Sequence, residues 1–198
     1  YKYFFPFFAC AKALSLHRKN RYDVVWSVMA NYAGFGALFF KLFHKDVPFL
    51  LTLQEGDPIE HIKKRVGVMY PFFKMIFTRA NFVQAISAYL AKWAKEMGAT
   101  CPVVVVPNGV DAGTFNATNL EFKNKERTKV RERFGYEDGD TVLVTTSRLV
   151  VKNGVEDIVE SLKFLSENIK FLIIGTGELE KKLKKKVEGL KLEERVRF

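Results

Sequence analysis

Cysteine is scarce in this chain of 198 residues, with only Cys10 and Cys101. The two lie far apart without a C-x-x-C spacing or a histidine neighbour, which argues against a zinc site or a disulfide scaffold and suits a reducing cytosol. Both fit the part of small core residues. Histidine is nearly as sparse. His17 and His44 stand beside basic residues near helix ends and His61 at a helix start, and each reads as a surface or capping residue. No apolar run reaches the ~20 residues that cross a bilayer. The greasy start from Tyr1 to Phe8 is soon cut by Lys12, Arg18 and Lys19, and it lacks both a methionine and a small-residue cleavage site. It reads as the remains of a helix in a truncated chain. Acidic residues are also short, 22 against 32 basic ones, and the resulting charge of +10 favours phosphorylated substrates, anionic lipid or nucleic acid as partners. A nucleic-acid partner rests on charge alone, because no reader motif accompanies it.

Hydrophobic residues make up 48% of the chain and aromatics 14%, enough to fill a core and to exclude disorder. Short β-branched runs alternate with stretches of helical spacing. The pattern predicts strands at 24–29, 48–53, 81–86 and 103–106, and helices at 32–43, 59–77 and 88–97. A pause follows at Pro107-Asn108-Gly109-Val110-Asp111 and through the polar stretch from Asn116 to Arg131. Alternation resumes with a strand near Val142, a helix at 155–165, a strand at 170–174, a helix at 179–190 and a last strand-like run at 195–198. Such alternation implies parallel sheets with helical crossovers, here in two α/β units. Ligands of open parallel sheets bind beyond the carboxyl ends of the strands, so functional residues are sought there.

Thr145-Thr146-Ser147-Arg148-Leu149-Val150-Val151-Lys152-Asn153-Gly154 follows one such strand. If the loop folds back, the Arg148 fork and the Lys152 point charge can converge on a diphosphate, with free amides where the helix starts at Gly154. Gly175-Thr176-Gly177-Glu178 follows the next strand; alone it fits tight strand-to-helix geometry as well as a phosphate loop. Earlier, Leu53-Gln54-Glu55-Gly56-Asp57 ends a strand, and Glu55 and Asp57 read either as contacts for acceptor hydroxyls or as turn and cap residues. Ser87 reads as an N-cap. Asp138-Gly139-Asp140 has the D-x-D string of a metal site but a turn position, and no metal is inferred from it. Residues 63–79 mix cations with large apolar side chains, which suits either an interfacial element on an anionic membrane or a packed helix with a basic face. The lysines from Lys181 to Lys186 flank an apolar stripe and read as a solvated face.

Taken in order, Pro107 to Asp111, Ser147-Arg148-Leu149 with Lys152 and Gly154, and Gly175 with Gly177 resemble the GT-B glycosyltransferases of family 4, from about Asp23 to Phe198. The resemblance implies an α/β fold of two Rossmann-like parallel-sheet domains, both incomplete in this chain. Residues 1–107 would be the later part of the acceptor-side domain, 108–140 the interdomain linker, and 141–198 the opening of the nucleotide-sugar donor domain. It implies a retaining transfer of sugar from a nucleotide-sugar to a hydroxyl acceptor, either a glycan, a lipid-linked acceptor or a small molecule. Arg148 and Lys152 would be the diphosphate ligands, and Ser147, Gly154, Gly175, Gly177 and Glu178 would belong to the donor loops. Gln54, Glu55 and Asp57 are the acceptor-side candidates. No catalytic residue is firmly assigned, and no cofactor is expected, the nucleotide-sugar being a substrate. The family's opening glycine-rich loop and its E-x7-E segment do not occur in these residues, so the fragment alone is expected to be inactive. Gln54 stands where the family often has histidine, and an amide cannot act as a titrating base. The expected place is the cytoplasm, at the inner face of a membrane if residues 63–79 meet one. The competing reading is a non-catalytic phosphate-binding or peripheral membrane module.

Overall fold

The structure is a computed structural model that describes residues 2–114 and 120–198. They form two compact units, Tyr1–Val110 and Asp111–Phe198, each with its own parallel sheet. In the first, β1 (Val25–Val28), β2 (Phe49–Leu53), β3 (Phe82–Ala85) and β4 (Val103–Val105) lie side by side in sequence order. The crossovers are α2 (Tyr32–Phe43), then α3 (Ile59–Val66) with α4 (Tyr70–Thr78), then α5 (Ala88–Glu96). The opening helix α1 (Phe5–Asn20) packs along α2.

Strand order equal to chain order puts successive crossovers of one hand on the same face of a sheet. The burial pattern agrees: Ser27, Leu51 and Val83 share that face and are buried, together with Leu38, Phe73, Phe77 and Trp93. The opposite face carries the exposed Trp26 and Phe82. There Trp26 Nε1 donates to Thr52 Oγ1 at 2.9 Å, and the Thr52 hydroxyl donates to Gln84 Oε1 at 3.2 Å, tying three strands together.

In the second unit α6 (Leu120–Phe134) precedes β5 (Thr141–Thr146), α7 (Val155–Ser161), β6 (Ile169–Ile174), α8 (Glu180–Gly189) and β7 (Val196–Arg197). Its core joins Leu149, Val155, Val159 and Leu162 to Phe171, Ile173, Leu183 and Val187. Arg195, almost wholly buried, donates to the carbonyls of Leu165, Ser166 and Ile169.

Three expected elements are redrawn. The helix expected over 59–77 is two helices, broken at Gly67, whose φ of +52° is a left-handed conformation that glycine adopts without strain. The helix expected over 155–165 leaves α-geometry at Leu162 for a 3-10 turn. The polar stretch from Asn116 to Arg131 is helical from Leu120 onward, its first four residues lying outside the described ones. Lys, Arg and Glu are good helix formers without an apolar stripe, which is why periodicity passes α6 over.

Candidate functional site

The loop after β5 continues the sheet. Ser147 N donates to Ile174 O at 3.1 Å and Leu149 N to Thr176 O at 2.9 Å, so the parallel ladder runs on past both strand ends. Side chains keep alternating: Leu149 is fully buried in the core and Arg148 is exposed. Leu149 O then accepts from Leu179 N at 3.0 Å, closing the second loop on the first.

This close seam explains the two glycines. A Cβ on Gly175, whose φ is +144°, would overlap the Ser147 carbonyl, and one on Gly177 would overlap the carbonyl of Leu149 and come within 2.7 Å of its nitrogen. Gly175 and Gly177 therefore let the backbone bearing Arg148 approach. Ser147 is partly buried, with Oγ 3.5 Å from Thr145 Oγ1, and Glu178 is exposed beyond the seam.

Past Leu149 the loop does fold back. Arg148 O accepts from Val150 N at 3.0 Å and from Asn153 Nδ2 at 2.6 Å, holding a 3-10 turn over Val151–Asn153 that carries Lys152. Gly154, at φ +63°, turns the chain into α7. That helix has only seven residues and places Glu156 and Asp157 in its first turn, where they already take up the favourable end of the dipole. The cations of this loop are Arg148 and Lys152, and the start of the helix beside them is already occupied by its own carboxylates.

Two lysines of the basic helix α8 are engaged with α7. Lys182 reaches Glu156 at 2.8 Å, and Lys186 reaches Glu156 at 2.5 Å and also Glu160. These partners hold the Glu156 and Glu160 carboxyls below the usual carboxylate range.

At the carboxyl ends of β1 to β4 a second set of residues meets. Gln54 Nε2 donates to Asn108 Oδ1 at 3.4 Å, joining the ends of β2 and β4. Glu55 turns inward: its Oε1 accepts from Ala30 N, after β1, at 2.5 Å, while Oε2 is buried without a partner. Burial raises its carboxyl above the ordinary value, against the lowering effect of the backbone hydrogen bonds. Asp57 pairs with Arg65 at 3.2 Å. Ser87 accepts from Leu90 N at 3.3 Å as the N-cap of α5.

Asp138-Gly139-Asp140 forms a turn, with Asp140 Oδ2 accepting from Glu137 N at 2.9 Å. Asp111 likewise closes a turn on Gly113 N and Thr114 Oγ1, which hold its carboxyl below the usual range. His61 is exposed. His17, read as a surface or capping residue, is buried, and its Nδ1 accepts from Tyr22 N at 3.1 Å just past the end of α1, against Phe40 and His44.

Residues 1–113 match the model of Glycosyltransferase Family 4, and residues 126–198 match that of glycosyl transferases group 1. The chain belongs to the family 4 glycosyltransferases. Among solved structures, this family 4 chain is similar to HepE of Anabaena in complex with UDP-glucose, at a TM-score of 0.76 and 20% identity, over 96% of this chain and 50% of that one. It is similar also to the catalytic domain of starch synthase IV from Arabidopsis thaliana bound to ADP and acarbose, at a TM-score of 0.66 and 17% identity, over 98% of this chain and 51% of that one. The apo lipopolysaccharide outer core galactosyltransferase WaaB follows at 0.61 and 18%, over 96% of this chain and 46% of that one. These likenesses show the GT-B fold, and the chain spans about half the length of the structures it matches. No curated protein matches it.

Two residues quoted in the loop of this family 4 chain were given no role from sequence. Leu149 anchors the Arg148 loop, and the period-two alternation Thr145, Ser147, Leu149 could have revealed it. Asn153 closes that loop through a side-chain bond to a main-chain carbonyl, which spacing does not announce.

Proposed function

We propose that the chain is part of a retaining glycosyltransferase that moves a sugar from a nucleotide-sugar to a hydroxyl acceptor on a glycan, a lipid-linked molecule or a small molecule. Residues 141–198 face the donor, 1–107 the acceptor, and 108–140 link them. Arg148 and Lys152 bind the donor's diphosphate and stabilise the charge that grows on the nucleoside diphosphate as its bond to the anomeric carbon breaks. Ser147, Gly154, Gly175 and Gly177 shape that loop.

The observation that carries this reading is the seam between the two loops, which presents Arg148 on a backbone fixed at the carboxyl ends of two adjacent strands. HepE was solved with UDP-glucose, and starch synthase IV with ADP and acarbose, which supports a nucleotide-sugar as donor here. Gln54 and Asn108 lie at the strand ends of the first unit, where their amides can orient an acceptor hydroxyl. Cys10 and Cys101 are free, as suits the cytoplasm.

The test is Arg148→Ala in the intact gene product. Loss of one such charge-stabilising group lowers turnover by about a hundredfold or more. Near-normal turnover with a nucleotide-sugar would remove Arg148 from the donor site.

A further inference from the structure

The first unit leaves two apolar faces open, and they differ in what surrounds them. The uncovered sheet face is a shallow hollow lined by Val24, Leu50, Phe82, Gln84, Val104 and Val106, with no cation in its lining. Nothing in the structure says what covers it.

The second face has a marked electrostatic character. Phe4 (63%), just before α1, and Phe7 (59%) and Phe8 (72%) in its first turns are exposed, as are Val68 (94%) and Met69 in the turn between α3 and α4 and Phe72 at the start of α4. A groove joins the two places, with Tyr3 and Phe7 on one side, Arg65 and Met69 on the other, and Phe35 and Phe39 between them. Phe7 stacks on Phe39 at 5.4 Å between ring centroids and Tyr3 meets Tyr32 edge-on at 6.1 Å, so the start of α1 is held in place. On the other side the left-handed turn at Gly67 ends α3 and lifts Val68 clear of the fold.

Cations outnumber anions beside these side chains, the anions being Asp57 and Glu60 at and just before the start of α3, each paired with a cation. Lys12 lies four residues beyond Phe8 on α1, and so on the same helical face. Lys64 and Arg65, both exposed, close α3 just before the turn. No aspartate or glutamate occurs from Tyr1 to Tyr22 or from His61 to Lys95. Arg65 keeps one acidic neighbour, Asp57.

We propose that the start of α1 and the Gly67 turn together form a docking surface for an anionic lipid bilayer. Aromatic and aliphatic side chains enter the boundary between headgroups and acyl chains, and Lys12, Lys64 and Arg65 meet the lipid phosphates. A second copy of the chain would bring the same positive charge against itself, which disfavours it as the occupant. The proposal concerns the first unit alone and does not rest on the donor reading.

The test is co-flotation of the 198-residue chain with vesicles of phosphatidylcholine, either alone or with about one third phosphatidylglycerol. The chain rises with the anionic vesicles, falls away as salt is added, and ignores the neutral ones. Val68→Asp, Phe8→Ser and Lys64→Glu each weaken partitioning by roughly an order of magnitude, with thermal melting confirming that each variant is folded. Val68→Trp provides a readout that needs no loss of binding, since its emission shifts to shorter wavelength on anionic vesicles. Failure to float overturns the proposal, and so does flotation indifferent to Val68→Asp and Phe8→Ser, which would mean attraction of a +10 chain without insertion. An unshifted Val68→Trp spectrum overturns it too, as does a dimer that Val68→Asp dissolves.

Discussion

Glu55 ends a strand where an acceptor hydroxyl could be met, yet its carboxylate is committed to the Ala30 amide on one side and left without a partner on the other. A polar residue after a strand is legible in sequence, but its direction depends on which main-chain amide lies beside it, and only the fold reveals that. Asp57, read from the same stretch, is engaged with Arg65. Burial has a consequence for stability. The folded-state value of Glu55 is raised above the unfolded one, so its contribution is fully present below the ordinary glutamate range and is lost as pH rises through the raised value. Glu55→Gln keeps an acceptor for Ala30 and carries no charge. Melting of the two proteins across pH should show the variant gaining on the parent as pH rises towards neutrality, with the gain gone in acid. A difference that stays constant with pH would mean that Glu55 is not the titrating group.

Strand and helix alternation was open to a reading of pattern, because parallel strands buried by crossovers are short and β-branched and their helices carry apolar stripes. What pattern missed were changes of direction and helices without a stripe. Gly67 breaks the 59–77 stretch by its left-handed turn, and α6 is built of residues that favour helix but form no apolar stripe in the sequence. The pair Gly175 and Gly177 was legible as a loop but not as a seam, since the partner backbone lies nearly thirty residues earlier. That seam is an element-level feature with an element-level prediction. Gly177→Ala forces the Leu149 carbonyl away, destabilising the second unit by about 1–3 kcal/mol or more. It also displaces Arg148, so diphosphate affinity falls along with the melting temperature. Conserved affinity in a folded Gly177→Ala chain would show that the loop does not depend on the seam.

Across the whole molecule, two parallel sheets with separate cores carry two sets of strand-end residues, one of amides and a carboxylate, the other of cations. The division into two α/β units and the family were legible because ordered motifs punctuate the alternation, from Pro107 through Arg148 to Gly177. Charge was less informative: Lys182 and Lys186 on α8 are engaged with α7, and Arg195 serves main-chain carbonyls. The functional account therefore rests on very few cations, Arg148 and Lys152 above all. Calorimetric titration of the chain with UDP and ADP, set against UMP and AMP, tests this most directly. The account predicts that the diphosphates bind at least about tenfold more tightly than the monophosphates, and that Arg148→Ala and Lys152→Ala each abolish the difference. Equal affinity for mono- and diphosphates, or a preference that survives both substitutions, would contradict it.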